Sequence, residues 1–216
     1  MKYYTTTLFV LILPFCVEAS PFQNLNFEKA ITPLIIDESK EVAVSDAVPG
    51  WSVYDRTGLP ASRMFFNTFS LGDPRVSLQS SDSLYAPPIQ GHFTVLLQAA
   101  NFGFTTVAIG QVGQIPTDAV SLRFYGSMSL KVTFAGQPLE LVQISSGVGY
   151  DHIGADISAF AGQTGELRFT ASNSPVSTFL YLDVIRFSAV AVPEPGGYAL
   201  MGVGLFGLGW WRRLRA

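Results

Sequence analysis

Two histidines, His92 and His152, are the only side chains whose ordinary pKa suits them to act as a general base near neutral pH. A serine nucleophile needs such a base beside it. His92 instead abuts the apolar run Phe93 to Leu97, and His152 follows Tyr150-Asp151 on a polar turn. No G-x-S-x-G, H-E-x-x-H or P-loop pattern occurs. Paired carboxylates can hydrolyse a glycosidic bond. Here Asp55, Asp73, Asp82, Asp118 and Asp151 mostly lie beside Gly, Pro or Ser, where turn chemistry alone favours aspartate. Sugar binding asks for an aromatic platform with amides, acids or arginines around it. Trp51, Tyr54, Tyr85, Tyr125 and Tyr150 could supply the rings, and Asn67, Gln98, Asn101 and Gln111 the polar partners. Trp51 and Tyr125 are the candidate ligand-binding residues, set against a packing role in which Trp51 plugs one end of the fold. No catalytic residue is assigned, and a non-enzymatic protein is expected.

Composition narrows the classes further. Of 216 residues only 13% are charged, about half of the roughly 25% usual in soluble domains, while Gly (20), Pro (13) and Phe (17) are plentiful. Disorder and coiled coil are disfavoured. A net charge of −3 offers no basic face for phosphate, so nucleic-acid binding is set aside.

Both ends read as addresses. Lys2, the uncharged run Leu8 to Val17 and Val17-Glu18-Ala19 form a secretory signal peptide over residues 1–19, with cleavage between Ala19 and Ser20. About ten apolar residues are too few for a membrane span, which needs about twenty. The single cysteine, Cys16, leaves with this segment. The mature chain then has neither disulfides nor thiol chemistry. At the other end, Val192-Pro193-Glu194-Pro195 precedes an uncharged stretch from Gly196 to Trp211, followed by Arg212, Arg213 and Arg215. Such a stretch reaches roughly 24 Å as a helix, short but workable as a membrane span with Trp210, Trp211 and the arginines at the cytoplasmic interface. Gly202 to Gly207 matches G-x-G-x-x-G, but without a following helix and acidic residue it is glycine packing in that segment.

Pro193-Glu194-Pro195, the apolar stretch and the arginine run, in that order, resemble the PEP-CTERM sorting signal of Gram-negative bacteria, here over residues 191–216. The resemblance implies export through the Sec translocon and signal peptidase, and a transient inner-membrane anchor. It also implies cleavage by exosortase near the tripeptide and delivery to the cell surface or an exopolysaccharide matrix.

Residues 20–190 must then form the exported domain, with nine basic and fourteen acidic residues once those of the two tags are set aside. Short runs rich in β-branched and aromatic residues, bounded by Gly, Pro, Asn or Ser, read as strands. They lie at 93–97, 105–109, 121–125, 130–134, 139–142, 167–170 and 179–187. Ala135-Gly136-Gln137-Pro138 joins two of these runs as a hairpin connection, and Asp156 to Gly162 reads as a single helical turn capped by Asp156. Ser77 to Ser83 reads as a serine-rich loop. About eight to ten strands with no ordinary helix give an all-β sandwich.

Asn24-Leu25-Asn26-Phe27-Glu28, Pro49-Gly50-Trp51 and Tyr181-Leu182-Asp183-Val184-Ile185 are similar to the opening, P-G-W and closing motifs of galactose-binding-like jelly rolls, which include carbohydrate-binding modules. Leu25 and Val184 replace a usual Gly and Asp. The resemblance implies a jelly roll with its first and last strands side by side, bringing Glu28 to Asp183 as holders of a structural calcium ion. The expected function is that of a non-enzymatic protein of the surface or exopolysaccharide matrix. Polysaccharide binding is the alternative and a glycan-active enzyme ranks last.

Overall fold

A computed structural model of the chain describes residues 20–31, 40–70, 72–84, 87–99, 106–172 and 178–193. The expected signal peptide and most of the sorting tail, including Glu194, Pro195, Arg212 and Arg213, lie outside the described residues, as do Tyr85 and Asn101. In chain order the strands are β1 (Glu41–Ala43), β2 (Ser52–Tyr54), β3 (Pro60–Ala61), β4 (Arg63–Phe66), β5 (Arg75–Ser80), β6 (Phe93–Ala99) and β7 (Val107–Gln114). They continue with β8 (Ser121–Gly126), β9 (Lys131–Phe134), β10 (Gln137–Pro138), β11 (Val142–Ser146), β12 (Asp151–Asp156), β13 (Thr164–Ala171) and β14 (Thr178–Ser188). A one-turn helix, α1 (Val44–Ala47), and a 3-10 turn at Ser158–Phe160 are the helical elements among the described residues.

Two sheets face each other, one of eight strands in the order β1-β4-β5-β6-β14-β8-β12-β11 and one of six in the order β10-β9-β13-β7-β2-β3. Among the described residues every ladder is antiparallel except β4 on β5. The domain is therefore the expected all-β sandwich, consistent with a jelly-roll frame. Alternation explains the faces. In β8, Leu122 and Phe124 are buried while Arg123 and Tyr125 point away; in β13, Leu167, Phe169 and Ala171 point in while Glu166 and Arg168 point out. The rings of Phe124 and Phe169 meet edge to face across the two sheets, 5.2 Å apart. Trp51, only 5% exposed, lies against Phe27 and Phe169 and donates its indole N–H to the Asn24 carbonyl at 3.0 Å.

Several local expectations hold. The hairpin expected over 135–138 is present but tighter: Ala135 and Gly136, both at positive φ, turn β9 into β10 with Phe134 opposite Gln137, so Gln137 and Pro138 are already strand. The Asp156 carboxylate accepts the Ser158 N–H at 2.8 Å to start the helical turn, and Gly162 at φ +76° ends it.

Others are corrected. The opening motif is a turn, not a strand, and the Ile185 N–H to Leu25 carbonyl bond at 2.8 Å links it to the last strand. That last strand, β14, runs through the middle of the larger sheet, between β6 and β8. Ser77 to Ser80 are not loop but part of β5, buried on both faces. The outer face there is sealed by the segment after β4, where Ser70 and Gln98 exchange two hydrogen bonds at 2.9 Å and Gln79 bonds the Thr68 carbonyl. Serine and glutamine fill that layer because each finds a partner. The strand expected at 139–142 is displaced to Val142–Ser146.

Phe124→Ala should lower unfolding stability by about 3–5 kcal/mol, as should Trp51→Ala, because each empties a filled core site. Tyr125→Ala, one residue on and facing out, should cost about 1 kcal/mol or less. Urea unfolding of residues 20–193 measures all three, and equal costs at 124 and 125 would contradict the assigned faces.

Candidate functional site

The eight-stranded sheet carries two features on the side away from the core. The first is built around Glu28 and Asp183, which the fold does bring together. Asp183 follows Leu182 in β14, where the ladder to β8 slips between Asp183 and Arg186 and Val184 takes φ +49° as the inserted residue of a bulge. Its carboxylate is wholly buried. Oδ2 accepts the Gln90 N–H at 3.0 Å and the Thr94 hydroxyl at 2.7 Å, and Oδ1 accepts the Val184 N–H at 2.7 Å. Glu28 reaches the same turn, its Oε1 accepting the N–H groups of His92 and Phe93 at 2.9 and 3.0 Å. Gly91, at φ +67°, passes so close to the Glu28 carboxylate that any side chain there would collide with it.

Burial, opposed by those three hydrogen bonds and aided by the charge of Glu28, pushes the Asp183 pKa up to about 6. None of the ion pairs among the described residues involves either carboxylate. Two hard oxygen donors with no cationic side chain match the donor chemistry of calcium. Backbone carbonyls would have to complete the ligand set, since no group of three acidic, histidine or cysteine side chains forms among the described residues.

The second feature is a groove toward the other end of β14. Two hollows, of about 220 and 360 Å³, share Phe179 and Tyr181. Phe69, Gln79 and Leu96 line the first; Gly126, Gly147, Gly149, Tyr150 and Asp151 contribute to the second. Phe179 is 40% exposed. Sequence reading missed Phe179 and Tyr181, although their spacing of two in a run ending at Asp183 places both on the outer face.

The proposed rings fare differently. Trp51 is a core residue with no face free for a ligand, so the platform expected there is absent and the packing role applies. Tyr125 lies on the outer face, 5.2 Å from both Tyr150 and His152, under the Arg186 guanidinium, which also donates to its hydroxyl at 3.0 Å. It buttresses Tyr150 rather than presenting an open face. Tyr54 is covered in the same way by Arg168 and donates to Glu166 at 2.6 Å. The amides are also committed, Gln98 to Ser70, Gln111 to Gln23 and Asn67 to Ser80. His152 is held below its ordinary pKa by burial and by the charges of Arg186 and Arg123. It lies in strand β12, not on the expected turn. The His92 backbone serves Glu28 while its side chain is exposed.

Fold and site together define a two-sheet β-sandwich domain with a carboxylate-pinned turn and an aromatic groove on one sheet. A PEP-CTERM protein-sorting motif occupies residues 191–213, immediately after this domain. The chain is thus an exosortase-sorted exported protein with a C-terminal membrane anchor before processing. No curated protein and no solved structure matches it.

With the Asp183 pKa near 6 in the folded protein and near 3.8 unfolded, the native state binds the extra proton between those values. Stability should therefore be lost as pH rises through 6. Without added metal, the domain should be roughly 1–1.5 kcal/mol more stable at pH 5 than at pH 7.5 through this group. Asp183→Asn should remove that part of the slope in parallel thermal melts, and an unchanged slope would reassign it.

Proposed function

We propose that the mature chain is a non-enzymatic structural protein of the cell surface or exopolysaccharide matrix of a Gram-negative bacterium. Export uses the Sec translocon and signal peptidase, and the anchor is lost to exosortase. The observation that carries the reading is the sorting motif joined directly to a sandwich in which six of the carboxylates are occupied in holding its own structure. Asp55 and Asp156 close turns, Asp151 holds Gln143, Glu166 holds Tyr54 and Arg168, and Glu28 and Asp183 hold the turn at 90–94. Protein recovered from the surface of an exosortase-bearing host should begin at Ser20 and end near Val192-Pro193 by intact mass. Surface protein that still carries Trp210 and Trp211 would defeat the sorting pathway.

A second reading, polysaccharide binding, is favoured by the groove alone. Tyr150, Phe179 and Tyr181 offer apolar ring surface beside Asp151 and three glycines, the pairing of stacking faces and polar groups that sugars require. A glycan array of residues 20–193 beside Tyr150→Ala and Tyr181→Ala decides between the two. Binding that the folded variants lose supports the module. Silence on broad glycans, including the host's own exopolysaccharide, leaves the structural role.

Calcium completes the proposal. Glu28 and Asp183 would hold it, and it would offset the charge that burial now penalises. At about one hundred times its dissociation constant it should add ~2.7 kcal/mol, a rise in Tm of roughly 5–10 °C at pH 7.5. The rise should shrink at pH 5, where Asp183 is protonated. No thermal response to calcium or chelator would remove the metal.

A further inference from the structure

After β14 the chain does not leave the domain. The Val190 carbonyl accepts the Ser121 hydroxyl at 2.7 Å and an Arg123 N–H at 3.1 Å, and the same guanidinium nitrogen reaches the Ala191 carbonyl at 3.1 Å. Arg123 is itself braced by its Nε–H to Ser121 Oγ at 3.2 Å. Beyond this clamp, Val192 lies over Gly154 of β12: a Cβ built at Gly154 would sit 2.8 Å from Val192 Cγ2 and 2.9 Å from Ile144 Cδ1. Val192 and Pro193 also form one wall of a groove of about 460 Å³, whose other walls include Leu139, Val142 and Phe160. The missing side chain at Gly154 is the hollow that receives Val192. Residues 190–193 are thus strapped across the outer face of β8 and β12, and the sorting motif begins at residue 191, inside the strap.

We propose that this strap is a substrate-side control on processing: the folded domain holds the first residues of its own sorting motif, and exosortase cuts next to Pro193 only when the strap has lifted. The reason is general to proteolysis. A peptidase needs the chain free of other partners on both sides of the bond it cuts, so when opening is fast the rate follows the population of the open form. Ser121 and Arg123 set that population through the two carbonyls, and Gly154 sets it by leaving room for Val192. They are positioning residues that act on the substrate, not on the peptidase.

The inference rests on exosortase sorting, and the experiment separates the two. Full-length precursor is pulse-labelled in an exosortase-bearing host, and its conversion is followed for wild type, Arg123→Ala and Gly154→Ala. A fourth chain carries Gly-Ser-Gly-Ser between Ala191 and Val192, which leaves every domain side chain unchanged and gives the motif a free lead. Arg123→Ala and Gly154→Ala should each speed conversion roughly three- to tenfold, as expected for loss of one or two contacts that hold a surface segment. Arg123→Lys, which keeps one donor, should fall between wild type and Arg123→Ala. The insertion should speed conversion as well, and adding Arg123→Ala to it should give no further gain, because both act by freeing the same segment. Melting temperatures within a few degrees of wild type exclude unfolding as the cause. Equal conversion of all chains overturns the strap alone, as does a further gain in the double variant. Absence of conversion in every chain overturns the sorting itself.

Discussion

A carboxylate buried without a cation is a costly thing to fold around, and Asp183 is placed where three other parts of the domain depend on it. Its two oxygens hold the turn between β5 and β6 through Gln90 and Thr94, and they fix the bulge at Val184. The bulge in turn decides which residues of β14 face inward. Leu180 and Leu182 are buried before it, and Ile185 is buried after it, with an N–H free to take the Leu25 carbonyl. In a straight ladder the period of two set by Leu180 and Leu182 would turn Ile185 to the outer face, and the extra residue returns it to the core. The N-terminal turn, and with it the Asn24 carbonyl that receives the Trp51 indole, is docked through that bond.

This is how residues 20–193, which contain no cysteine, close long loops. Bonds from side chains to distant backbone do what disulfides often do in secreted domains. Gln111 takes both the N–H and the carbonyl of Gln23, Asn24 bonds the Pro49 carbonyl, and Glu28 holds the amides at 92 and 93. Each joins elements far apart in sequence, and all but the His92 bond are partly buried, where losing one partner leaves a half-buried group unpaired. The cost falls on the amides and acids of the domain: those that could have met a ligand are mostly used internally.

That use explains what was legible in the sequence. Runs such as Ser121 to Tyr125 and Leu167 to Thr170 announce strands because one face is buried and the other is wet, so the period of two survives in the residue types. In β5 both faces are covered, and Ser77 and Gln79 are buried polar residues: Gln79 donates to Ser77 on the same strand and to the Thr68 carbonyl eleven residues back, and accepts from Ser83 in the following turn. No local pattern encodes such a layer. Trp51 was ambiguous for a related reason: residue type gives it the same apolar surface whether a ring or a sugar covers it, and only Phe27, Phe169 and Asn24 decide. Glu28 and Asp183 were legible as a pair because short motifs at the two ends of the domain carried them. The strand pairing inferred from the same motifs failed, since one hydrogen bond to a turn brings the ends together as well as a ladder does.

The groove and the strap divide one surface between them. Arg123 and Tyr125 are successive outward residues of β8, and His152 and Gly154 are their counterparts on β12, so the two features stand about 7 Å apart along the same strands. The ladder pairs Tyr125 with His152 and Arg123 with Gly154, which gives the aromatic cluster one cross-strand step and the tail the next. While Val192 lies over Gly154, the exposed part of the sheet ends at the cluster of Tyr125, Tyr150 and His152. Once residues 190–193 lift, the Gly154 hollow and the Arg123 guanidinium join that exposed face, and the guanidinium loses the two carbonyls that now occupy it. Lifting of the strap would therefore alter the outer sheet itself, because the segment that leads into the sorting motif is packed on that face.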